Sequence, residues 1–357
     1  MNSSYEMKQP QHGGDRLWAA KIAGCEPEKI LDFSANINPL APPDWVKELI
    51  IQNLHLLPYY PDPNYRELRR SIAMFHHIEP EWVWPGNGAA HLLTWLGRDL
   101  ATQGTVTLVT PAFGDHGRAL LAFNAEVKMW RLPWEQKYIN LPLSGQGLLL
   151  SNPHNPTGYL FPKQQLQELL NHWKLVVIDE SFMDFLPPGR EQSLIPDLTQ
   201  HPNLVILRSL TKFYGLAGLR LGYVLAHPDN IQRYQQWDAP WSVNGLAAEL
   251  GRQLLQDREF QQRTWDWLSV HYQQVYNGLS LIPGLYPYPS AANFILVKTA
   301  IPAPKLQRQL LINHRIFIRD TLSYPELGAG YFRVAVRYRD DNQRLLAALG
   351  SECIAPQ

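Results

Sequence analysis

The sequence predicts an α/β protein: a large domain with a mostly parallel sheet covered by helices, followed by a small α+β domain. Three observations lead there. The chain has 357 residues, more than a single hydrophobic core usually fills, so two domains are expected. Between Pro85 and Pro240, strand-like apolar runs alternate with helical patterns, as they do where helices cross over a parallel sheet. Beyond "PGLYPYPS" the pattern changes to shorter pieces.

In chain order, the first eighty residues are irregular and proline-rich. "NINPLAPPDW" and "LLPYYPDPNY" read as turns and extended arms around short helices. Residues 1–40 are assigned to an N-terminal arm contributing to the active site and to the small domain. The strands of the large domain, 41–280, are "VTLVT", "GLLLS", "LVVID", "LVILRS" and "LGYVLA", with "KQQLQELLNHW" as a representative helix. A long helical stretch from about Asn244 to Leu279 connects to the small domain, 281–357. There "ANFILVK", a helix from Lys305 to His314, "RIFIRD" and "YFRVAVR" are read as its elements.

Composition narrows the function. Lys plus Arg and Asp plus Glu are both 32, so neither nucleic acid nor an anionic membrane has an electrostatic footprint to bind. A small substrate is expected instead. The only cysteines, Cys25 and Cys353, form no CxxC pair, which argues against a disulfide framework or a cysteine zinc site and suits a reducing cytosol. No metal site is expected. The opening "MNSSYEMKQPQHGGD" has no apolar leader region and no run is long enough to cross a bilayer, so a cytoplasmic protein is expected.

Four motifs fall at or just after strand ends, where ligands gather on parallel sheets. "PGNGAAHLL" places Gly88, Ala89 and Ala90 at a helix start whose backbone N–H groups suit a phosphate, although a plain helix start is the commoner meaning of such a string. "SNPHNPTG" puts Asn155 where its amide meets a ligand oxygen or merely shapes a turn. "LVVIDES" ends a buried strand with Asp179 and Glu180, carboxylates that must find a cation or lie in a site. "SLTKFYGLAGLRLG" brings Ser209, Thr211, Lys212 and Arg220 together, a lysine suited to attacking an aldehyde and an arginine suited to holding a phosphate.

In this order and spacing, "NPHNPTG", "VVIDE", "SLTKFYGLAGLRLGY" and "FRVAV" resemble the fold type I pyridoxal phosphate enzymes of the aminotransferase class I and II group, over nearly the whole chain. The resemblance implies a large domain that binds pyridoxal 5'-phosphate. Lys212 would carry it, Asp179 would pair with its ring nitrogen, and Asn155 would bond its ring oxygen. Ser209, Arg220 and the amides of Gly88, Ala89 and Ala90 would hold its phosphate. Phe113 would stack on the ring with His116 at its edge; a buried aromatic and a surface histidine are the ordinary alternatives. Tyr60 in "YYPDPNY" resembles a tyrosine that reaches the phosphate of the opposite subunit, which implies a homodimer with shared active sites. Arg333 matches the arginine that grips the substrate carboxylate.

Within the group, "HGGD" at His12, "DFSANINPLAPP", "DESFMDF" and "FRVAVRYRDDNQRLLAAL" resemble the threonine-phosphate decarboxylases of cobalamin synthesis, with the histidinol-phosphate aminotransferases next. A phosphorylated amino acid is the substrate this implies, clamped by His12, Asn38 and Arg337. A strand through Arg333 and Arg337 would put both on one face; an ion pair of Arg337 with Asp340 or Asp341 is the alternative. A transferase acting on histidinol phosphate or a related amino acid also stays open. A non-enzymatic regulator is disfavoured because Lys212, Asp179 and Arg220 are intact. Phe182, where aminotransferases commonly carry a tyrosine, follows the decarboxylase form; the sequence departs from the pattern at Ala41, where a glycine is expected, and in "GNGAA", which lacks polar residues after the second glycine.

Overall fold

A computed structural model describes residues 9–136 and 139–354. The chain divides into two compact units, one of residues 37–268 and one joining residues 1–36 to 269–357. The division falls at 36 and 268 rather than at 40 and 280, and the second point lies inside one continuous helix, Arg258–Ser280.

The large unit is built on seven strands among the described residues. Their order across the sheet is Val83–Gly86, Gly222–Ala226, Leu204–Ser209, Trp173–Asp179, Gly145–Ser151, Val106–Thr110 and Val127–Arg131. Gly222–Ala226 runs antiparallel to both its neighbours, and the other pairings are parallel. The three central strands are unbroken apolar runs because flanking helices cover them: from Leu148 to Leu150, Val176 to Ile178 and Val205 to Leu207, no residue is more than 1% exposed. All five strands read from the sequence are present. The two added strands are both at sheet edges.

Register decides where the polar residues emerge. Ser151 pairs with Asp179 and Asp179 with Leu207, so the strands ending at Ser151, Asp179 and Ser209 finish side by side. The segments that follow carry the three motifs with Asn155, Glu180 and Lys212. Covering this sheet, the helices Ala89–Gln103 and Gly114–Leu121 pack so closely that a side chain at Gly97 would meet the Ala119 carbonyl oxygen at 2.4 Å.

The small unit has an antiparallel sheet in the order Arg319–Asp320, Tyr331–Ala335, Phe294–Thr299, Leu285–Pro287. A separate parallel pair joins Leu31–Asp32 to Ile316–Phe317. The N-terminal helix Arg16–Ala23 buries Ala19 and Ala20 against Leu311 and Phe317, so this arm belongs to the small unit's core. "RIFIRD" is two short strands in two different sheets, and the strand through Arg333 stops at Ala335.

Packing at Gly97 generates a prediction. Alanine is the better helix former by about 1 kcal/mol, but overpacking against a backbone carbonyl costs about 1–3 kcal/mol. Gly97→Ala is expected to lower the urea midpoint, by up to about 2 kcal/mol of stability, without changing the slope of the transition.

Candidate active site

Lys212 sits in a single-turn helix, Leu210–Phe213, that begins as the strand Leu204–Ser209 ends. Ser209 caps it: its hydroxyl accepts from the Thr211 N–H and lies 2.8 Å from Thr211 Oγ1. The Lys212 amine donates to that same Thr211 Oγ1 at 3.1 Å. Two small hydroxyls just before Lys212 thus fix where the lysine stem starts.

One strand over, Asp179 ends Trp173–Asp179 and receives His116 Nε2 at 2.9 Å, with Ser181 N–H and Oγ on its other oxygen. Burial pushes this carboxyl up, but His116 and Ser181 outweigh burial and hold it below the usual carboxylate range. It is an ionised group in a dry place. Phe113 meets the His116 ring edge to face, with centroids 5.8 Å apart. Asn155 is buried, and its N–H donates to Ser151 Oγ at 3.0 Å.

Glu180 took the bland course that its sequence allowed. It is fully buried and paired to Arg208 at 2.8 Å, while Arg208 also reaches Asp184 at 2.5 Å. Neither carboxylate is left to chemistry.

Arg220 has φ +60° and folds back so that its Nη1 donates to the Ala217 carbonyl at 3.1 Å. Gly88, at φ +79°, caps the helix Ala89–Gln103, and a side chain there would strike Arg220 Nη2 at 2.6 Å. A guanidinium therefore lies directly over the helix start, where the first amides have no intrahelical acceptor. Cation, helix dipole and open N–H groups together form an anion cradle. Tyr60 is exposed and stacks on Trp241 with centroids 4.4 Å apart.

Two expectations change. Asn38 is buried and its amide donates to the Phe213 carbonyl (2.8 Å) and Thr264 Oγ1 (3.0 Å), while its oxygen accepts from Leu40 N–H. With its backbone N–H also bonded to the Lys212 carbonyl at 3.1 Å, Asn38 has both amide hydrogens engaged and clasps the lysine helix rather than offering them to a substrate. Arg337 lies beyond the strand end, so the one-face argument fails; its Nε pairs with Asp341 at 3.0 Å and its Nη1 donates to the Asp32 carbonyl. The ion-pair alternative describes it.

In the small unit the strand register brings a different arginine beside Arg333, namely Arg319. Both are buried. Arg319 is held by the carbonyls of Pro10 and Gln11, immediately before the exposed His12, and by Ser323 Oγ. Arg333 Nη2 reaches the Ser34 carbonyl at 3.5 Å, and its guanidinium lies over the Phe294 ring. Burial, together with the Arg319 charge, pushes Arg333 below the usual arginine range, although Tyr324 opposes this. Two adjacent buried guanidiniums suit anionic groups. Sequence reasoning missed Arg319 because "RIFIRD" resembled an ordinary strand; its one signal was a charged residue in an otherwise apolar run.

His154, inside the asparagine motif, is buried with Nδ1 2.8 Å from Thr157 Oγ1. Burial, and secondarily the His116 charge, pushes it down from 6.5 to about 3. Between those values the unfolded chain takes up a proton that the folded one refuses, so this histidine makes stability fall as pH drops from 6.5 toward 3, by at most about 1.4 kcal/mol per unit. His154→Gln is expected to flatten the difference between urea midpoints measured at pH 5 and pH 7. An unchanged difference would show that other groups govern it.

The aminotransferase class I and II family matches residues 28–349. A threonine-phosphate decarboxylase of Salmonella typhimurium is 39% identical over 350 residues, 95% of each chain. A histidinol-phosphate aminotransferase of Carboxydothermus hydrogenoformans is 31% identical over 360 residues, covering 93% of this chain and 96% of its own. Among solved structures, the L-threonine-O-3-phosphate decarboxylase of Porphyromonas gingivalis superposes with a TM-score of 0.82 at 25% identity, covering 90% of this chain and 98% of that one. With the strand-end motifs in place and the match spanning both units, this chain belongs to the aminotransferase class I and II family.

Proposed function

We propose that the protein is a pyridoxal 5'-phosphate-dependent decarboxylase that converts L-threonine O-3-phosphate to (R)-1-amino-2-propanol O-phosphate, a step of cobalamin biosynthesis. The observation that carries this reading is identity sustained at 39% along 95% of both chains with a threonine-phosphate decarboxylase, against 31% for the aminotransferase above. The cofactor is pyridoxal 5'-phosphate, and the donor set of the large unit fits it: a lysine, an ionised buried carboxylate, and a cradle at Gly88 that a side chain would fill. When bound, it supplies an electron sink for the bond broken at the substrate Cα.

The chain's own residues have the following roles. Lys212 holds the cofactor aldehyde through its amine. Asp179, kept ionised by His116 and Ser181, holds the ring nitrogen's proton. Phe113 lies against the ring and Asn155 bonds its oxygen. Phe182 has no hydroxyl to add to that bond. Gly88, Ala89 and Ala90 amides, Ser209 and Arg220 hold the cofactor phosphate, with Tyr60 of a second copy completing it in a homodimer. Arg333 and Arg319, both buried, bring positive charge to the substrate's two anionic groups, carboxylate and phosphate, and His12 adds a donor. In the reaction the Cα–carboxylate bond breaks, carbon dioxide leaves, the electron pair stays with Cα, and a proton replaces the lost group.

Incubation with threonine O-3-phosphate in the absence of any keto acid is expected to release carbon dioxide, and Lys212→Ala to remove both the activity and the visible absorbance of the lysine-bound cofactor. Transfer of the amino group of histidinol phosphate as the dominant activity, with no carbon dioxide from threonine phosphate, would overturn the reading in favour of the aminotransferases.

A second prediction separates the arginines. Arg319→Ala is expected to lower kcat/KM for threonine phosphate roughly tenfold to a hundredfold, the worth of a charge-assisted contact. Arg337→Ala, which loses only its partly exposed pair with Asp341, is expected to change it less than threefold.

A further inference from the structure

The helix start at Gly88 carries alanines at its first two positions, so no side chain from that turn grips an anion. Its hold is exerted by backbone N–H groups and Arg220, and such a hold depends on how firmly the preceding loop is placed. The loop is tied from within. Asn87 N–H donates to His91 Nδ1 at 3.2 Å. With Nδ1 as the acceptor of this bond, the ring hydrogen lies on Nε2.

That second nitrogen faces Asp238, 3.1 Å from its Oδ1 though off the line of a good hydrogen bond. The Asp238 carboxylate is only 1% exposed. Its other oxygen accepts from Trp84 Nε1 and Ser242 Oγ, each at 2.9 Å. Burial pushes Asp238 up, but His91, Trp84 and Ser242 outweigh it and hold it below the usual range. Trp84 belongs to the strand Val83–Gly86 that feeds the loop, and His91 to the first turn of the helix that leaves it. One buried carboxylate thus ties strand, loop and helix start together.

We infer that His91, facing the buried Asp238 carboxylate, is a positioning residue for the phosphate cradle: it fixes the Asn87 peptide, and through it the direction of the Ala89 and Ala90 N–H groups. The inference rests on the reading that the cofactor phosphate lies at this helix start. His91 acts without touching the phosphate, so it governs affinity for the phosphorylated cofactor and not for the same aldehyde lacking phosphate.

The test is titration of the full-length apoprotein with pyridoxal 5'-phosphate and, separately, with pyridoxal, followed by absorbance. His91→Phe keeps the ring and removes the acceptor; His91→Asn places an amide oxygen near the former Nδ1. His91→Phe is expected to weaken pyridoxal 5'-phosphate about three- to tenfold and to leave pyridoxal unchanged, while His91→Asn recovers most of the loss. Equal weakening of both ligands, no weakening, or no recovery with asparagine would overturn the role of His91. Arg220→Met tests the underlying site separately. If it lowers only the phosphorylated cofactor's affinity while His91→Phe does not, the cradle stands and the His91 inference fails; if it leaves the ratio of the two affinities unchanged, both fall together.

Discussion

The ion pair between Arg208 and Glu180 is the constraint on which the strand-end chemistry depends. Arg208 immediately precedes Ser209, and Glu180 immediately follows Asp179, so the 2.8 Å contact between them locks two adjacent strand ends at the level of their polar residues. The Glu180 N–H extends the ladder to the Leu207 carbonyl, while its carboxylate also accepts from Ser193 Oγ and Leu194 N–H. Both charges are buried. Such a pair adds little net stability over an apolar replacement, but removing one partner leaves an uncompensated charge at about 3–5 kcal/mol. What it supplies is a fixed geometry, with Asp179 and Lys212's turn unable to slide past each other by a residue. Asn38 does for the far side of that turn, with neutral hydrogen bonds, what Arg208 does for its beginning.

This division of labour explains which parts of the protein were legible in the sequence. The central strands are covered on both faces, so their apolar runs are continuous and readable. The edge strand Val127–Arg131 places lysine, methionine and arginine in solvent, and Val83–Gly86 includes a proline; neither presents the apolar run that marks a central strand. Lys212, Asp179, Asn155 and Arg220 stood out in the sequence because polar and charged residues at or near strand ends are costly to bury unless something there needs them. Arg337 misled because a strand was extended two residues too far, and the face of a side chain is meaningless once the strand has stopped. Arg319 and Asn38 were misjudged for opposite reasons. The register that sets Arg319 beside Arg333 is a property of two segments pairing across a sheet, invisible in either alone. Asn38 is polar, yet its hydrogen bonds go to Phe213 and Thr264, residues 175 and 226 positions away.

The two units meet their electrostatic demands in different ways. In the large unit the buried acids each have a named cation or imidazole: Asp179 has His116, Glu180 and Asp184 have Arg208, and Asp99 has Arg233. Charge is balanced locally and the groups are held still. In the small unit two buried guanidiniums stand side by side with carbonyl oxygens as their chief partners. Carbonyls satisfy donor geometry without neutralising charge; burial first, and the Arg319 charge after it, lower the proton affinity of Arg333, while Tyr324 opposes them. On the proposed reading, a doubly anionic substrate would offset this positive charge, whereas a neutral ligand would not.

The same logic separates rigid from adjustable parts of the cofactor-binding residues. On the proposed reading, the ring end would be governed by Asp179, whose ionisation depends on His116 and Ser181 and whose position depends on a buried ion pair; small changes there would alter charge. On the same reading, the phosphate end would be governed by peptide N–H groups and Arg220, so changes there would alter direction while the charge stays constant. Direction is set by how the loop is held, and a hydrogen bond weakens steeply as it leaves its line. The phosphate end can therefore tolerate Ala89 and Ala90 in place of polar side chains, provided that a neighbour such as His91 holds the loop, whereas the ring end can tolerate no loss of its carboxylate. Substitutions that spare charge but loosen the loop should be read in cofactor affinity, and substitutions that touch Asp179 in the chemistry itself.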